Sequence, residues 1–316
     1  MKEGCWSMKL KKQVLTKPRH RSPKANMVEL GIQLSGIKRQ FEDPSKLAVY
    51  LNQQAAKVKK PFAFPKGTHF HVNHEIKAFE GLYYIVLNQQ LRPAKRLVYF
   101  CGGEYAEWPT KEHWNFLDQL AQATKAQIYA PIVPTIAQGG GPVAYPWVRK
   151  FYEHLLDLDR HVPTTMLGDS AGGGLAAGFV STLIDQNLLL PNQLVLISPW
   201  LDLSLANSAI SDYEKSDVYL SVAGLQRVGQ RWQGEWEQND PRLSPVEADW
   251  TPEVPVQIFV GDKEIMYPDC LRFAENLRQQ HVSVDLQIGQ QMFHDYPIYP
   301  TPEGQHVIKE IADFIG

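Results

Sequence analysis

Apolar residues follow two patterns along this chain. Short β-branched and aromatic runs, bounded by glycine or proline, alternate with longer stretches in which apolar positions recur every three or four residues. Residues 95–100 (KRLVYF) are a run of the first kind, ended by a glycine pair. Residues 111–124 are of the second kind, with Trp114, Leu117, Leu120 and Ala121 on one face, so the spacing predicts strand, loop, helix. The unit repeats. Residues 127–133 predict a strand, 146–156 a helix, 164–167 a short buried strand and 170–184 a helix. Strands are expected at 193–198, 254–260 and 282–288, with helices at 269–280 and 302–315. This alternation predicts an α/β fold whose mostly parallel central sheet carries helices on both faces.

Two stretches stand outside the alternation: the first sixty or so residues, and 202–250, which is polar, tryptophan-rich and without strand signals. The expected organisation is a tail and cap segment over 1–60, then a core over 61–316 with a cap insertion around 202–250. A length of 316 residues suits one catalytic core with such a cap.

Composition narrows the functional classes. Hydrophobic content of 44% with 21% charged residues is that of a globular chain able to bury a core, and a net charge of −2 provides no global field for nucleic acid or anionic membrane. Positive charges do crowd the start of the chain, at Lys2, Lys9, Lys11, Lys12, Lys17, Arg19, Arg21 and Lys24. We read them as a solvated tail, with a lipid- or nucleic-acid-binding arm as the alternative. No apolar run has the length of a signal segment or a membrane span, so neither stable membrane insertion nor export is expected, and the chain reads as cytoplasmic. The three cysteines, Cys5, Cys101 and Cys270, are odd in number and lack a CxxC pair, which fits a reducing compartment rather than a disulfide framework or zinc site.

The chemistry-bearing segment is Gly168-Asp169-Ser170-Ala171-Gly172, between a predicted strand and a predicted helix. In that context Gly-x-Ser-x-Gly marks a sharp turn that exposes a serine nucleophile at a helix N-terminus. A dinucleotide loop over Gly172-x-Gly174-x-x-Ala177 is the competing reading; it requires an acid at the end of the next strand, where the chain has Ser198-Pro199. Serine needs a neutral imidazole as base and a carboxylate behind it, in the chain order Ser, acid, His. Of ten histidines, His294 alone closely follows the last predicted strand and precedes the final helix; His281 and His306 lie at or inside helices. The strand at 254–260 runs into Gly261-Asp262-Lys263-Glu264, which leaves Asp262 and Glu264 open as the acid.

Cys101, at a strand end with no histidine placed beside it by the sequence, reads as a small buried hydrophobe rather than a reactive thiol. His69, His71 and His74 form an HxHxxH run; with no cysteine and only Glu75 near, a metal site is not expected there, and serine chemistry requires no cofactor. Trp147, Trp200, Trp232, Trp236 and Trp250 are candidates for an acyl pocket or lid underside, against simple packing.

From about Lys95 to the C-terminus the chain resembles the hormone-sensitive-lipase-like family of esterases and lipases, the α/β-hydrolase fold-3 group. The segments YFCGGEY, GDSAGG, SPWLDLS, DPRLSP, GDKEIMYPD and MFHDYP carry that resemblance in the family's order. It implies a cap over the sheet, Glu264 as the acid with Asp262 as the alternative, and oxyanion-holding N–H groups at Gly102, Gly103 and Ala171. The chain departs from the family where His-Gly-Gly-Gly is replaced by Cys101-Gly102-Gly103-Glu104: the histidine that braces this loop is gone and a carboxylate is added. A charge at Glu104 about 6 Å from an oxyanion, at an effective dielectric near 20, would repel it by roughly 3 kcal/mol. That would slow neutral esters or favour cationic ones. The implied activity is hydrolysis of carboxylic esters through an acyl-enzyme, for which the polar lid stretch and the lack of a broad apolar patch predict short acyl chains over long-chain triglycerides; the alternative is a catalytically impaired relative that binds a small molecule or a partner. Nothing in the sequence fixes the oligomeric state.

Overall fold

The computed structural model describes residues 21–316, so the basic residues up to Arg19 and Cys5 lie outside the described residues. One sheet of eight strands organises the rest: β1 (His74–Phe79), β2 (Leu82–Leu87), β3 (Arg96–Phe100), β4 (Gln127–Pro131), β5 (Thr164–Asp169), β6 (Gln193–Ile197), β7 (Val256–Gly261) and β8 (Val284–Gly289). Their spatial order is β1-β2-β4-β3-β5-β6-β7-β8. β2 runs antiparallel to both neighbours, and every other pairing is parallel.

The inner strands read as unbroken apolar runs because both of their faces are covered. Val98, Phe100, Met166, Leu194 and Ile258 enter one core, while their neighbours Leu97, Tyr99, Leu167, Val195 and Phe259 enter the other. The helices are α1 (Pro23–Ser35), α2 (Ile37–Glu42), α3 (Pro44–Lys57), α4 (Lys111–Thr124), α5 (Gly141–Leu158), α6 (Ser170–Asp185), α7 (Ser211–Glu214), α8 (Val222–Gln233), α9 (Tyr267–Gln279) and α10 (Pro302–Ile315).

Two sequence expectations change. The edge hairpin β1–β2 was not predicted; a strand-then-helix search passes over it, since β2 follows β1 through Glu80 and Gly81, both at positive φ, with no helix between. The helix expected from Pro146 starts at Gly141, because Pro142 occupies the first turn and Pro146 sits inside. The hairpin also separates the HxHxxH run. His74 opens β1 and packs on Phe70, whereas His71 Nδ1 lies 2.7 Å from the Asp118 carboxylate.

Hydrogen bonds at several points fasten the N-terminal helices to the rest, among them a Lys263 ammonium to the Glu29 carboxylate of α1 at 2.5 Å. Ser22, capping α1, donates from its N–H and hydroxyl to Glu303 of α10 at 2.7 and 2.8 Å. Lys38 of α2 donates to the Asp217 carbonyl at 2.8 Å, within the 202–250 stretch. Tyr50 of α3 donates to the Glu107 carboxylate in the loop after β3. These helices and 202–250 therefore meet over the C-terminal ends of the parallel strands, the end where sites form in such sheets.

Candidate active site

β5 passes into α6 without an intervening residue, and Ser170 takes the turn at φ +49°. A non-glycine residue in the left-handed region is strained, and the strain holds the hydroxyl clear of the backbone that follows. The turn is possible because Gly172 has no side chain: a Cβ there would meet the Phe100 carbonyl oxygen at 2.1 Å.

Ser170, His294 and Glu264, from three separate segments, are brought together. The Ser170 Oγ lies 2.9 Å from His294 Nε2, and His294 Nδ1 lies 2.5 Å from Glu264 Oε2. Glu264 is fully buried, and its other oxygen accepts from the Gly261 N–H and the Ser198 hydroxyl, both at 2.7 Å. Ser198 in turn accepts the Asp295 N–H at 3.1 Å, which ties the loop of the histidine to that of the acid. Asp262 stands apart, half-buried and facing the backbone amides of Gln291 and Met292.

The loop Cys101–Glu104 shows a correction. The Gly102 N–H, assigned to the oxyanion hole from sequence, donates to Asp169 Oδ1 at 3.0 Å and is not available to a substrate. Among the described residues the N–H groups of Gly103, Glu104 and Ala171 make no hydrogen bond, so the vacancy passes from Gly102 to Glu104. Gly102 is required for a different reason: a Cβ would meet Asp169 Oδ2 at 2.3 Å. Asp169 also accepts from the Tyr99 hydroxyl and lies 3.1 Å from His113 Nε2. His113 Nδ1 accepts the Thr110 N–H at 3.0 Å, which fixes the proton on Nε2. The imidazole that the loop lacks at position 101 is thus present, reaching in from α4. Cys101, His113 and Asp169 place ligand-type atoms within 4.8 Å of one another, a grouping the sequence gave no sign of. Their contacts form a satisfied hydrogen-bond network, and burial pushes the Cys101 thiol up to about 12, away from a reactive thiolate.

Glu104 turns inward. It is 5% exposed, and its carboxyl is pushed up to about 8, by burial first and then by the Glu107 carboxylate. From the sequence it was expected to carry a full charge beside the oxyanion; burial instead favours its protonated form, which weakens that repulsion. Asp295 was not anticipated at all. Its Oδ2 lies 3.2 Å from His294 Nε2, on the side of the imidazole that faces Ser170. Burial pushes Asp295 up to about 7. Burial alone would lower His294, but the carboxylates of Asp295 and then Glu264 outweigh it and hold the imidazole well above its ordinary value.

The site is closed. Ser170 is 4% exposed, and the cavity beside Gly102 and Trp232 offers about 30 Å³, room for a water or two. A larger cavity of about 640 Å³ lies elsewhere, between the end of α6 and Asp240–Thr251, and none of the residues above lines it. Of the five tryptophans considered, Trp232 stacks on Tyr105 beside the site, whereas Trp147 and Trp250 pack against Phe151 and Phe273 in the core. Trp200 is buried beside Tyr105, and Trp236 lies under Arg242.

The chain matches a protein-family model of the α/β-hydrolase fold over residues 97–298. It is 28% identical over 233 residues to an esterase from Acinetobacter venetianus, covering 72% of this chain and 77% of that protein. It is also 28% identical over 234 residues to an acetyl-hydrolase from Streptomyces hygroscopicus, covering 71% and 78%. A crystal structure from Staphylococcus aureus, provisionally named an esterase, superposes with a TM-score of 0.83 at 28% identity, covering 86% of this chain and 93% of that one.

Proposed function

The chain belongs to the hormone-sensitive-lipase-like family of the α/β-hydrolase fold, and we propose that it is a serine carboxylesterase working through Ser170, His294 and Glu264. Hydrolysis of carboxylic esters is the activity that its esterase and acetyl-hydrolase relatives carry in their names. The observation that carries the finer reading is the unbroken line of hydrogen bonds from Glu264 through His294 to Ser170 at its strained turn.

In this reading Glu264 fixes the Nδ1–H tautomer, leaving the Nε2 lone pair to take the Ser170 proton as Oγ attacks the ester carbonyl. The N–H groups of Gly103, Glu104 and Ala171 receive the developing oxyanion, the last aided by the N-terminus of α6. His294 then gives its proton to the leaving alcohol, and a water it activates frees the acyl group. The N-terminal helices and residues 202–250 act together as the cap. Since Ser170 is buried beneath them, substrate enters when they part. The polar character of the 202–250 stretch favours short acyl chains over long ones.

Turnover of p-nitrophenyl esters from acetate to dodecanoate tests this reading. Activity on acetate to butyrate, lost in Ser170→Ala, is expected. Retained turnover in Ser170→Ala, or a preference for the longest chains, would overturn it.

A further inference from the structure

Two buried carboxyls lie beside the reacting pair of groups with imidazoles, but no lysine or arginine, among the groups acting most strongly on them. Asp295 is 8% exposed, and while its Oδ2 meets His294 Nε2, its Oδ1 is buried with no hydrogen-bond partner. Glu104, at 5% exposed, lies within electrostatic reach of Glu107, His294, Asp295 and His113. Asp295 is faced by Asp169 and Glu264 as well as by His294.

Tyrosines complete the surroundings. The Tyr219 ring lies 5.7 Å from that of His294, and its hydroxyl feels both Glu104 and Asp295; Tyr299 lies near the same pair. Buried carboxyls and aromatic faces without a resident cation are the chemistry that receives an organic ammonium.

The geometry also tells which half of an ester lies there. His294 Nε2 is the atom that returns a proton to the departing alcohol, so a group within 3.2 Å of that atom borders the alcohol half.

We propose that the preferred substrate is an ester whose alcohol half carries an ammonium group, received by Glu104 and Asp295 against the face of Tyr219. This rests on the reading of Ser170 and His294 as nucleophile and base. Burial disfavours the charged form of both carboxyls, and an ammonium beside them favours it, any proton released passing to solvent. Binding of the cation therefore strengthens as pH rises through the range in which these two groups titrate.

Butyrylcholine and its neutral carbon isostere, 3,3-dimethylbutyl butyrate, test the proposal on the full chain. Their acyl halves are identical and their alcohols differ by one charge. The ratio of kcat/KM, cationic over neutral, is expected at about tenfold or more. It should rise between about pH 6 and pH 8.5, a change in which the titration of His294 cancels because both substrates share it. Glu104→Gln and Asp295→Asn should each lower the ratio at least about fivefold. Should either variant fail to fold, tetramethylammonium as a competitive inhibitor of neutral-ester hydrolysis by the unaltered protein serves instead, with sodium at equal ionic strength as control. A ratio near one, a ratio indifferent to pH and to both substitutions, or no inhibition by tetramethylammonium overturns the proposal while leaving neutral-ester hydrolysis intact. If neither ester is turned over and Ser170 takes no fluorophosphonate, the esterase reading fails, and this proposal with it.

Discussion

Replacing Glu264 by glutamine changes one atom, and the surroundings dictate which way the new amide must point. Glu264 Oε1 accepts from the Gly261 N–H and the Ser198 hydroxyl, each at 2.7 Å. A backbone N–H only donates, so the amide oxygen must take that position and the NH₂ must turn toward His294 Nδ1, 2.5 Å away. Nδ1 then has to accept, and the ring proton moves to Nε2. Placed there it faces Ser170 Oγ at 2.9 Å and cannot receive the serine proton. The wrong tautomer costs about 10⁴ in kcat in a serine triad, equivalent to roughly 5.5 kcal/mol of barrier. We expect Glu264→Gln to lose activity on p-nitrophenyl acetate on that scale while its thermal midpoint stays near that of the parent, since shape and both outer hydrogen bonds are kept. Asp262→Asn should retain activity within about threefold, because Asp262 faces backbone amides rather than the imidazole. Active-site titration separates loss of rate from loss of protein. A Glu264→Gln rate within about tenfold of the parent, or abolition of activity by Asp262→Asn, would refute the tautomer argument.

Three further outcomes follow from the same geometry. His294 can act as a base only when deprotonated, and the neighbouring carboxylates, Asp295 foremost, hold its proton on to higher pH, so activity on a neutral ester should rise on the alkaline side of the ordinary imidazole value; Asp295→Asn should move that rise to lower pH in a kcat/KM profile, and an unmoved profile would contradict the contact. Gly172→Ala would drive a Cβ to 2.1 Å from the Phe100 carbonyl and should cost at least about 3 kcal/mol in urea unfolding; a loss under about 1 kcal/mol would show that helix and strand part freely. Asp169→Asn weakens the anchor of Gly102 and should lower kcat by about ten- to a hundredfold with KM little changed, whereas an equal rise in KM would point to substrate binding instead.

Ser170 and His294 were legible because each sits in a local pattern with a mechanical reason: small residues at a strand-to-helix turn, and a histidine between the last strand and the last helix. Glu264 was not separable from Asp262 by position, since both follow β7 within three residues; family resemblance pointed to Glu264, and the Gly261 N–H supplies the physical reason that its carboxylate turns inward. Gly102 was misassigned because which amide of a glycine loop is unpaired depends on Asp169, 67 residues away, and no local pattern reports that. The state of Glu104 was equally hidden. Tyr50 and Tyr219, which lie within its electrostatic reach, stand on segments that the alternation of strands and helices left without assigned elements. The strands that alternate with helices were readable, whereas the hairpin β1–β2 was not, although β2 is buried, because no helix separates its two strands.

Whether Ser170 is an activated nucleophile is decided by treating the purified protein with a fluorophosphonate and locating the adduct by mass spectrometry. A single adduct on Ser170 is expected, abolished in Ser170→Ala and formed far more slowly in Glu264→Gln and in His294→Ala. No adduct, or one that persists in Ser170→Ala, would contradict it.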